Sequence, residues 1–112
     1  MSSAEDFLLV ITTLPDEASA RKLADALVAG RLAACVNILA PCRSVYRWKG
    51  ALESELEIPL LIKTTRDVYP ALEAAILAAH PYELPEIIAL PLALGLPAYL
   101  GWIRDETESA GT

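Results

Sequence analysis

The most constraining feature of this 112-residue chain is a long run of alternating side chains between residues 50 and 65. Apolar positions point to one side of the run and mainly charged positions to the other, a period of two that is typical of a half-buried β-strand. The apolar side consists of Leu52, Leu56, Ile58, Leu60 and Ile62, and the other side of Glu53, Glu55, Glu57, Pro59 and Lys63.

The residues before this run are also strand-like, so the two stretches together predict a hairpin with unusually long arms. The first arm covers residues 33–48 with a break near Pro41, and Lys49-Gly50 forms the turn. Pro59 cannot donate a hydrogen bond to a neighbouring strand. Its strand is therefore predicted to lie at a sheet edge or to carry a bulge at that position.

The rest of the chain alternates between short strands and helices. Residues 7–13 and 86–92 are apolar and predict strands, whereas residues 16–29 and 67–79 have helical spacing, and Pro97 opens a short final helix. Asp16 is the expected N-cap of the first helix, and Gly30 its expected C′ residue. The order β-α-β-β-α-β with a terminal helix predicts an α+β, ferredoxin-like fold with helices on one face of an antiparallel sheet.

Length and composition predict one domain that assembles with other copies. We expect a single domain over residues 1–112, with a structured core at 6–104 and a polar tail at 105–112. Hydrophobic residues make up 54% of the chain, and its mean hydropathy is +0.40. Such a short chain buries only roughly two-thirds of its surface, so the apolar excess indicates a subunit interface.

The net charge of −6 argues against nucleic acid and anionic membranes as partners, because both repel an acidic surface. Residues 87–103 carry no charge, but the stretch is shorter than a membrane span and is interrupted by Pro91 and Pro97. It is interpreted as a buried strand followed by a helix. The first residues lack a signal-peptide pattern, so a cytoplasmic location with reduced cysteines is expected.

The sequence lacks the motifs of common enzymes and metal centres. It has no glycine-rich phosphate loop, no Cys-x-x-Cys pair and a single histidine, so no catalytic activity and no required cofactor are expected. Cys35 and Cys42 are interpreted as small buried hydrophobic residues. The row of Glu53, Glu55 and Glu57 is interpreted chiefly as a solvated strand face, relieved by water or by basic residues of the partner arm, with a cation site as the alternative.

The segment of residues 80–86, His-Pro-Tyr-Glu-Leu-Pro-Glu, is the strongest candidate for function. It combines an imidazole, a phenol and carboxylates, and imidazole and carboxylate are ordinary ligands of copper and zinc. The alternative is structural, because a histidine at a helix C-terminus interacts favourably with the helix dipole without any metal.

Matching positions occur in order along nearly the whole chain, from about residue 7 to residue 103, and identify it as resembling the CutA divalent-cation tolerance proteins. They are Thr13, Pro15-Asp16-Glu17, Leu32-Ala33-Ala34-Cys35-Val36-Asn37-Ile38, Ser44, Tyr46, Trp48, Gly50, Glu57, Lys63-Thr64, His80-Pro81-Tyr82-Glu83, Pro85-Glu86, Tyr99 and Trp102.

This resemblance implies a ferredoxin-like fold assembled as a homotrimer, in which long hairpin strands pair between subunits. It also implies a non-enzymatic role in tolerance to divalent cations, copper especially. Carried over by position, the cation site falls near His80 and Glu86. Some bacterial members have a cysteine in the first strand where this chain has Thr12, and the missing thiolate removes a ligand that favours Cu(I).

The second candidate site is a cleft between subunits, lined by Tyr46, Trp48, Lys63, Tyr82 and Glu86. Because the trimer resembles PII signalling proteins in architecture, this cleft suggests a signalling or scaffold trimer that binds a small ligand or a partner. The structural alternative is that these residues only pack the trimer interface, with Lys63 paired to Glu57 or Glu86.

Overall fold

The computed structural model describes residues 6–108, which form five strands and three helices. In chain order these are β1 (Phe7–Leu14), α1 (Glu17–Ala29), β2 (Cys35–Ile38), β3 (Cys42–Trp48), β4 (Ala51–Thr65), α2 (Tyr69–Ala79), β5 (Ile88–Pro91) and α3 (Pro97–Thr107). No helix in this part of the chain is long and apolar enough to cross a membrane.

All strand pairs are antiparallel, which confirms the predicted α+β fold. The strand order is β2-β4-β1-β5, and β3 extends the sheet as a second partner of β4. If β2 and β3 are taken as one interrupted strand, this is the predicted β-α-β-β-α-β order followed by a terminal helix.

The core lies between α1, α2 and one face of the sheet. Val10, Leu60 and Ile62 project from the strands against Leu27 and Ile76 of the helices, and all of these side chains are buried. A smaller cluster at the far end joins Phe7 and Ala34 to Ile103 of α3. The alternation seen in the sequence therefore identifies the core-facing side of β4 correctly from Ile58 onward.

The predicted hairpin is present, with a two-residue turn between Trp48 and Ala51. Lys49 and Gly50 both have positive φ angles, 49° and 83°, as a type I′ hairpin turn requires. Pro59 lies within the sheet opposite the break between β2 and β3, where residues 39–41 face only residues 58 and 59. The ladder is therefore interrupted at Pro59, as a bulge predicts, but the extra residue lies in the partner arm and not in β4; the alternative of an edge strand is wrong.

The C-terminal ends of α1 and α3 differ from the prediction. Gly30 ends α1 with φ −83°, and the left-handed residue is Arg31 with φ 59°. The guanidinium of Arg31 donates hydrogen bonds to the carbonyl oxygens of Asp105 and Glu108, which ties this turn to α3. Helix α3 continues to Thr107, so residues 105–107 are helical although a polar tail was expected from residue 105; residues 109–112 lie outside the described part.

The sheet face opposite α1 and α2 carries a partly exposed apolar patch. Strand register places Leu61, Ile11 and Ile88 in one row across this face and Leu9 and Leu90 in the next. Ile88 and Leu90 are exposed, so the expectation of a buried strand here is wrong for a single chain, and the other three residues are half-buried. We call these five residues the open sheet face. Covering it requires something beyond the described part of a single chain.

Candidate functional site

A cleft lies between the β3–β4 hairpin and the segment of residues 80–86, and we call it the hairpin cleft. It consists of two adjoining cavities of about 380 and 430 Å³, and both are lined by Tyr46, Trp48, Tyr82 and Leu84. These volumes are in the range of small-ligand sites. Glu86 lines the larger cavity, so four of the five residues predicted for the cleft are brought together.

Glu57 is the polar centre of the cleft floor. Although it follows two more accessible glutamates on the same strand face, its side chain is buried. Thr13 Oγ1 donates a hydrogen bond to Glu57 Oε2 at 3.1 Å, and the hydroxyl of Tyr82 also hydrogen-bonds with this carboxylate. The segment of residues 80–86 is thereby fixed to β1 and β4, and the interpretation of Glu57 as a solvated residue is wrong.

His80 anchors the other end of the same segment. Its Nε2 lies 2.6 Å from the carbonyl oxygen of Thr13, and the backbone N–H of Tyr82 donates to Nδ1 at 3.2 Å. An amide N–H can only donate, so Nδ1 is the acceptor of this bond and Nε2 is the donor to the carbonyl oxygen of Thr13. Both ring nitrogens are therefore engaged, and a metal ion could bind either one only by displacing a hydrogen bond.

The two tyrosines of the cleft have raised pKa values. For Tyr82, burial is the main cause, followed by the hydrogen bond with Glu57 and the negative charge of that carboxylate. For Tyr46, desolvation again comes first, and the charges of Glu55 and Glu53 raise the pKa further. Both phenols therefore stay protonated and neutral at physiological pH.

The register of the hairpin leaves the glutamate row without basic neighbours on its own face. Tyr46 lies opposite Glu53 and Ser44 opposite Glu55, whereas Arg43 and Arg47 pair with Leu56 and Leu52 on the other face. Of the ways in which the row could be relieved, water remains, whereas Arg43 and Arg47 of the partner arm lie on the opposite face. Four carboxylates line the two cavities, and no lysine or arginine is among their lining residues: Glu55, Glu57, Glu83 and Glu86.

Lys63 does not lie in the hairpin cleft of this chain. It shares a strand face with Glu57 but is six residues further along β4, which separates the two by about 20 Å at strand rise. Its ammonium group donates to Asn37 Oδ1 and lies 4.0 Å from Cys35 Sγ. Within one chain, Lys63 therefore contacts β2, and its pairing with Glu57 or Glu86 in a trimer stays a prediction.

Analysis of the sequence missed two members of the site, the hydroxyl of Thr13 and the ammonium group of Lys49. Lys49 Nζ lies 3.5 Å from Glu83 Oε1 and 5.6 Å from the centroid of the Trp48 ring. Alternation places Thr13 and Glu57 on one sheet face, which was a usable signal. The contact between Lys49 and Glu83 depends on how the segment of residues 80–86 folds back, and no local pattern encodes that.

Within residues 6–108, no group of three or more His, Cys, Asp or Glu side chains is placed to hold a metal ion. Cys35 and Cys42 are both free and half-buried rather than fully buried as expected. Thr12, at the position of the cysteine in some bacterial relatives, is buried, and its hydroxyl has no hydrogen-bond partner in the described part of the chain.

These features define a small α+β protein with an acidic, aromatic cleft. The chain matches the family model of the CutA1 divalent ion tolerance protein over residues 8–106, and it belongs to this family. The family consists of divalent-cation tolerance proteins without known catalytic activity, as expected from the sequence.

Named relatives agree with this assignment. The chain is 48% identical over 99 residues to the divalent-cation tolerance protein CutA of Thermus thermophilus, covering 88% of this chain and 96% of that protein. A solved structure of the T. thermophilus protein superposes with a TM-score of 0.89, with 47% identity and coverage of 91% and 99% of the two chains. Mouse protein CutA is 45% identical over 97 residues, or 87% of this chain, which spans only 55% of the mouse protein.

Proposed function

We propose that this chain acts in divalent-cation tolerance as a non-enzymatic binding protein whose working site is the hairpin cleft. The observation that carries the proposal is an open groove of about 430 Å³ that Tyr46, Trp48 and Tyr82 line beside buried Glu57. Sites for small molecules combine apolar and aromatic walls with a few placed polar groups, and this cleft has that composition. Such a site would suit the sensor or scaffold role that the resemblance of the expected trimer to PII proteins implies.

The hydrogen bonds of His80 support a structural role for this residue in the proposal. With Nε2 bonded to Thr13 and Nδ1 bonded to Tyr82, the imidazole holds one wall of the cleft in place. Its removal is therefore expected to disturb the cleft indirectly, whereas removal of Trp48 takes away a wall.

Ligand-dependent stabilisation tests this function, because any compound that binds the folded chain and not the unfolded chain raises the melting temperature. A thermal-shift screen of small metabolites should give hits that Trp48→Ala weakens. Trp102→Ala is the matched control, since Trp102 lies on α3, away from the cleft. Hits that both variants weaken equally, or no hits at all, would argue against the cleft as the working site.

Direct copper binding near His80 and Glu86 is the second candidate. Two observations favour it: Glu86 lines the same cavity as Glu57, and the hydrogen bond on Nδ1 of His80 is the longer of the two, at 3.2 Å. A copper ion that displaced the Tyr82 N–H could use this nitrogen together with carboxylate oxygens. No other cofactor is required by this function.

Calorimetric titration with Cu²⁺ separates the two candidates. A stoichiometric site that is lost in both His80→Gln and Glu86→Gln, is retained in Glu106→Gln and is weaker for Zn²⁺ would support direct binding. Copper binds almost any nitrogen and oxygen site more tightly than the other common divalent metals do, so shallow heats that are equal in all variants would indicate surface carboxylates only.

We further propose that the chain assembles as a homotrimer. The open sheet face and the apolar side of the hairpin support this, because Ile88, Leu52 and Leu56 are half or more exposed in a single chain. Lys63 lies in the same row as Leu9 and Leu90 of the open sheet face, so in the trimer it would belong to the assembly surface. The cytoplasmic location stays a prediction that cell fractionation can test.

A further inference from the structure

We propose that the ligand of the hairpin cleft is an alkylammonium cation, such as a linear polyamine. This inference names the ligand class of the proposed function and rests on it. It follows from the aromatic walls, from the carboxylates that line the same cavities and from the ammonium group of Lys49, which contacts Trp48 and Glu83 of this lining.

The walls of the cleft provide the two kinds of group that recognise organic cations. The faces of tyrosine and tryptophan rings attract cations through their quadrupole, with tryptophan the strongest. Tyr46, Trp48 and Tyr82 supply these rings, and Leu84 supplies an apolar surface for methylene groups. The carboxylates of Glu55, Glu57, Glu83 and Glu86 line the same cavities and would repel an anionic ligand, although Lys49 pairs with Glu83.

Lys49 demonstrates how the cleft contacts an ammonium group. Its Nζ lies over the ring of Trp48, 5.6 Å from the centroid, and 3.5 Å from a carboxylate oxygen of Glu83. The side chain is 68% exposed, so the contact is not enclosed by the fold. A free alkylammonium group can make the same pair of contacts and would compete with Lys49 for them.

The spacing of the carboxylates fits an extended cation better than a single metal ion. Successive glutamates on this face of β4 are about 7 Å apart at strand rise, whereas ligands of one metal ion must all lie within about 2.0–2.6 Å of it. Correspondingly, no three His, Cys, Asp or Glu side chains between residues 6 and 108 converge on one point. A polyamine carries several charges separated by methylene stems and can use separated carboxylates together.

Calorimetric titration with spermidine at fixed ionic strength tests the inference. Trp48→Leu and Glu83→Gln should each weaken binding about fivefold, in the range of partly desolvated cation–π and ion-pair contacts. The control Glu106→Gln removes the same charge from exposed α3 and should leave the dissociation constant unchanged. Equal weakening in Glu83→Gln and Glu106→Gln would show diffuse attraction to an acidic protein and would overturn the inference.

Replacement of Lys49 should have the opposite effect and strengthen the binding of spermidine. Lys49→Asn removes the competing ammonium group and keeps a residue suited to the type I′ turn, so spermidine should bind about threefold more tightly. Lys22→Gln is the matched control, because Lys22 is exposed on α1 and its removal changes the net charge equally. If both variants bound spermidine more tightly by the same factor, the effect would come from net charge alone, which would contradict a defined site.

A fluorescence titration distinguishes failure of this inference from failure of the proposed function. The chain has two tryptophans, so in Trp102→Phe the emission reports on Trp48 alone. Spermidine, ATP and glucose represent cationic, anionic and neutral ligands. A response to spermidine supports the inference; a response only to ATP or glucose overturns it and preserves the cleft; and no response to any of the three argues against both.

Discussion

The two halves of β4 have the same alternating pattern but different surroundings. In the inner half, Leu60 and Ile62 are fully buried beneath the helices. In the outer half, Leu52 is 73% exposed and Leu56 is 56% exposed, because the hairpin extends beyond the helices. Alternation therefore specifies which side of a strand is apolar, but not what covers it. The inner half is covered by this chain, and we infer that the outer half is covered by other copies of it.

The largest expected effect comes from the inner half. Leu60→Ala should lower the free energy of unfolding by about 2–5 kcal/mol, because it removes buried methyl groups and leaves a cavity. Urea denaturation measures this loss. Leu52→Ala is the matched change in the outer half, and its smaller loss should depend on chain concentration, because assembly is what covers this side chain. An equal loss that is independent of concentration would contradict the division between the two halves.

Glu57 lies at the boundary between the two halves of β4. Its replacement should have the next largest effect on the free energy of unfolding. Glu57→Ala leaves the hydroxyls of Thr13 and Tyr82 without their carboxylate partner and should cost about 1–3 kcal/mol of the free energy of unfolding. Glu55→Ala, two residues away on the same face but exposed, should change it by less than about 0.5 kcal/mol. Similar values for the two variants in urea denaturation would show that Glu57 does not fix the cleft floor.

Tyr82, which hydrogen-bonds with Glu57 at this boundary, should cause a loss of stability at alkaline pH. The pKa of Tyr82 is raised in the folded chain above the ordinary value of 10, so the folded state holds this proton more tightly. The resulting stability is fully present below about pH 10 and is lost as the pH rises through the raised pKa. Tyr82→Phe should show a shallower decline in melting temperature above pH 10. A decline as steep as that of the unmodified chain would assign the effect to other groups.

The smallest effect is expected at the tip of the hairpin. Lys49→Asn breaks an ion pair whose two side chains are 68% and 70% exposed, and water screens such pairs strongly. The free energy of unfolding should therefore change by less than about 0.5 kcal/mol, as measured by urea denaturation. A loss above about 1 kcal/mol would mean that the contact between Lys49 and Glu83 helps to hold the hairpin against residues 80–86.

Local patterns predicted most of the fold. Alternation identified β4, helical spacing identified α1 and α2, and Lys49-Gly50 identified the turn of the hairpin. The left-handed residue after α1 was misplaced by one position. A glycine is the usual choice there, but Arg31 occupies it and is held by carbonyl groups from the far end of the chain.

The candidate site was predicted less completely, because it depends on contacts between distant segments. Tyr46, Trp48, Tyr82 and Glu86 line one cavity within a single chain, whereas the sequence placed them in a cleft between subunits, which stays a prediction. The hairpin register decides which sheet face Arg43 and Arg47 lie on. The distance of Lys63 from Glu57 along β4 decides that Lys63 contacts Asn37 and not the cleft. The burial of Glu57 and the two hydrogen bonds of His80 arise only when residues 80–86 fold onto β1 and β4.

The mass of the chain in solution tests the central claim most directly. Light scattering coupled to gel filtration should give three times the chain mass of 12.1 kDa, because the outer half of β4 and the open sheet face need other copies to cover them. Leu52→Asp together with Ile88→Asp should shift the mass towards that of one chain. A mass of a single chain for the unmodified protein at micromolar concentration would contradict the account.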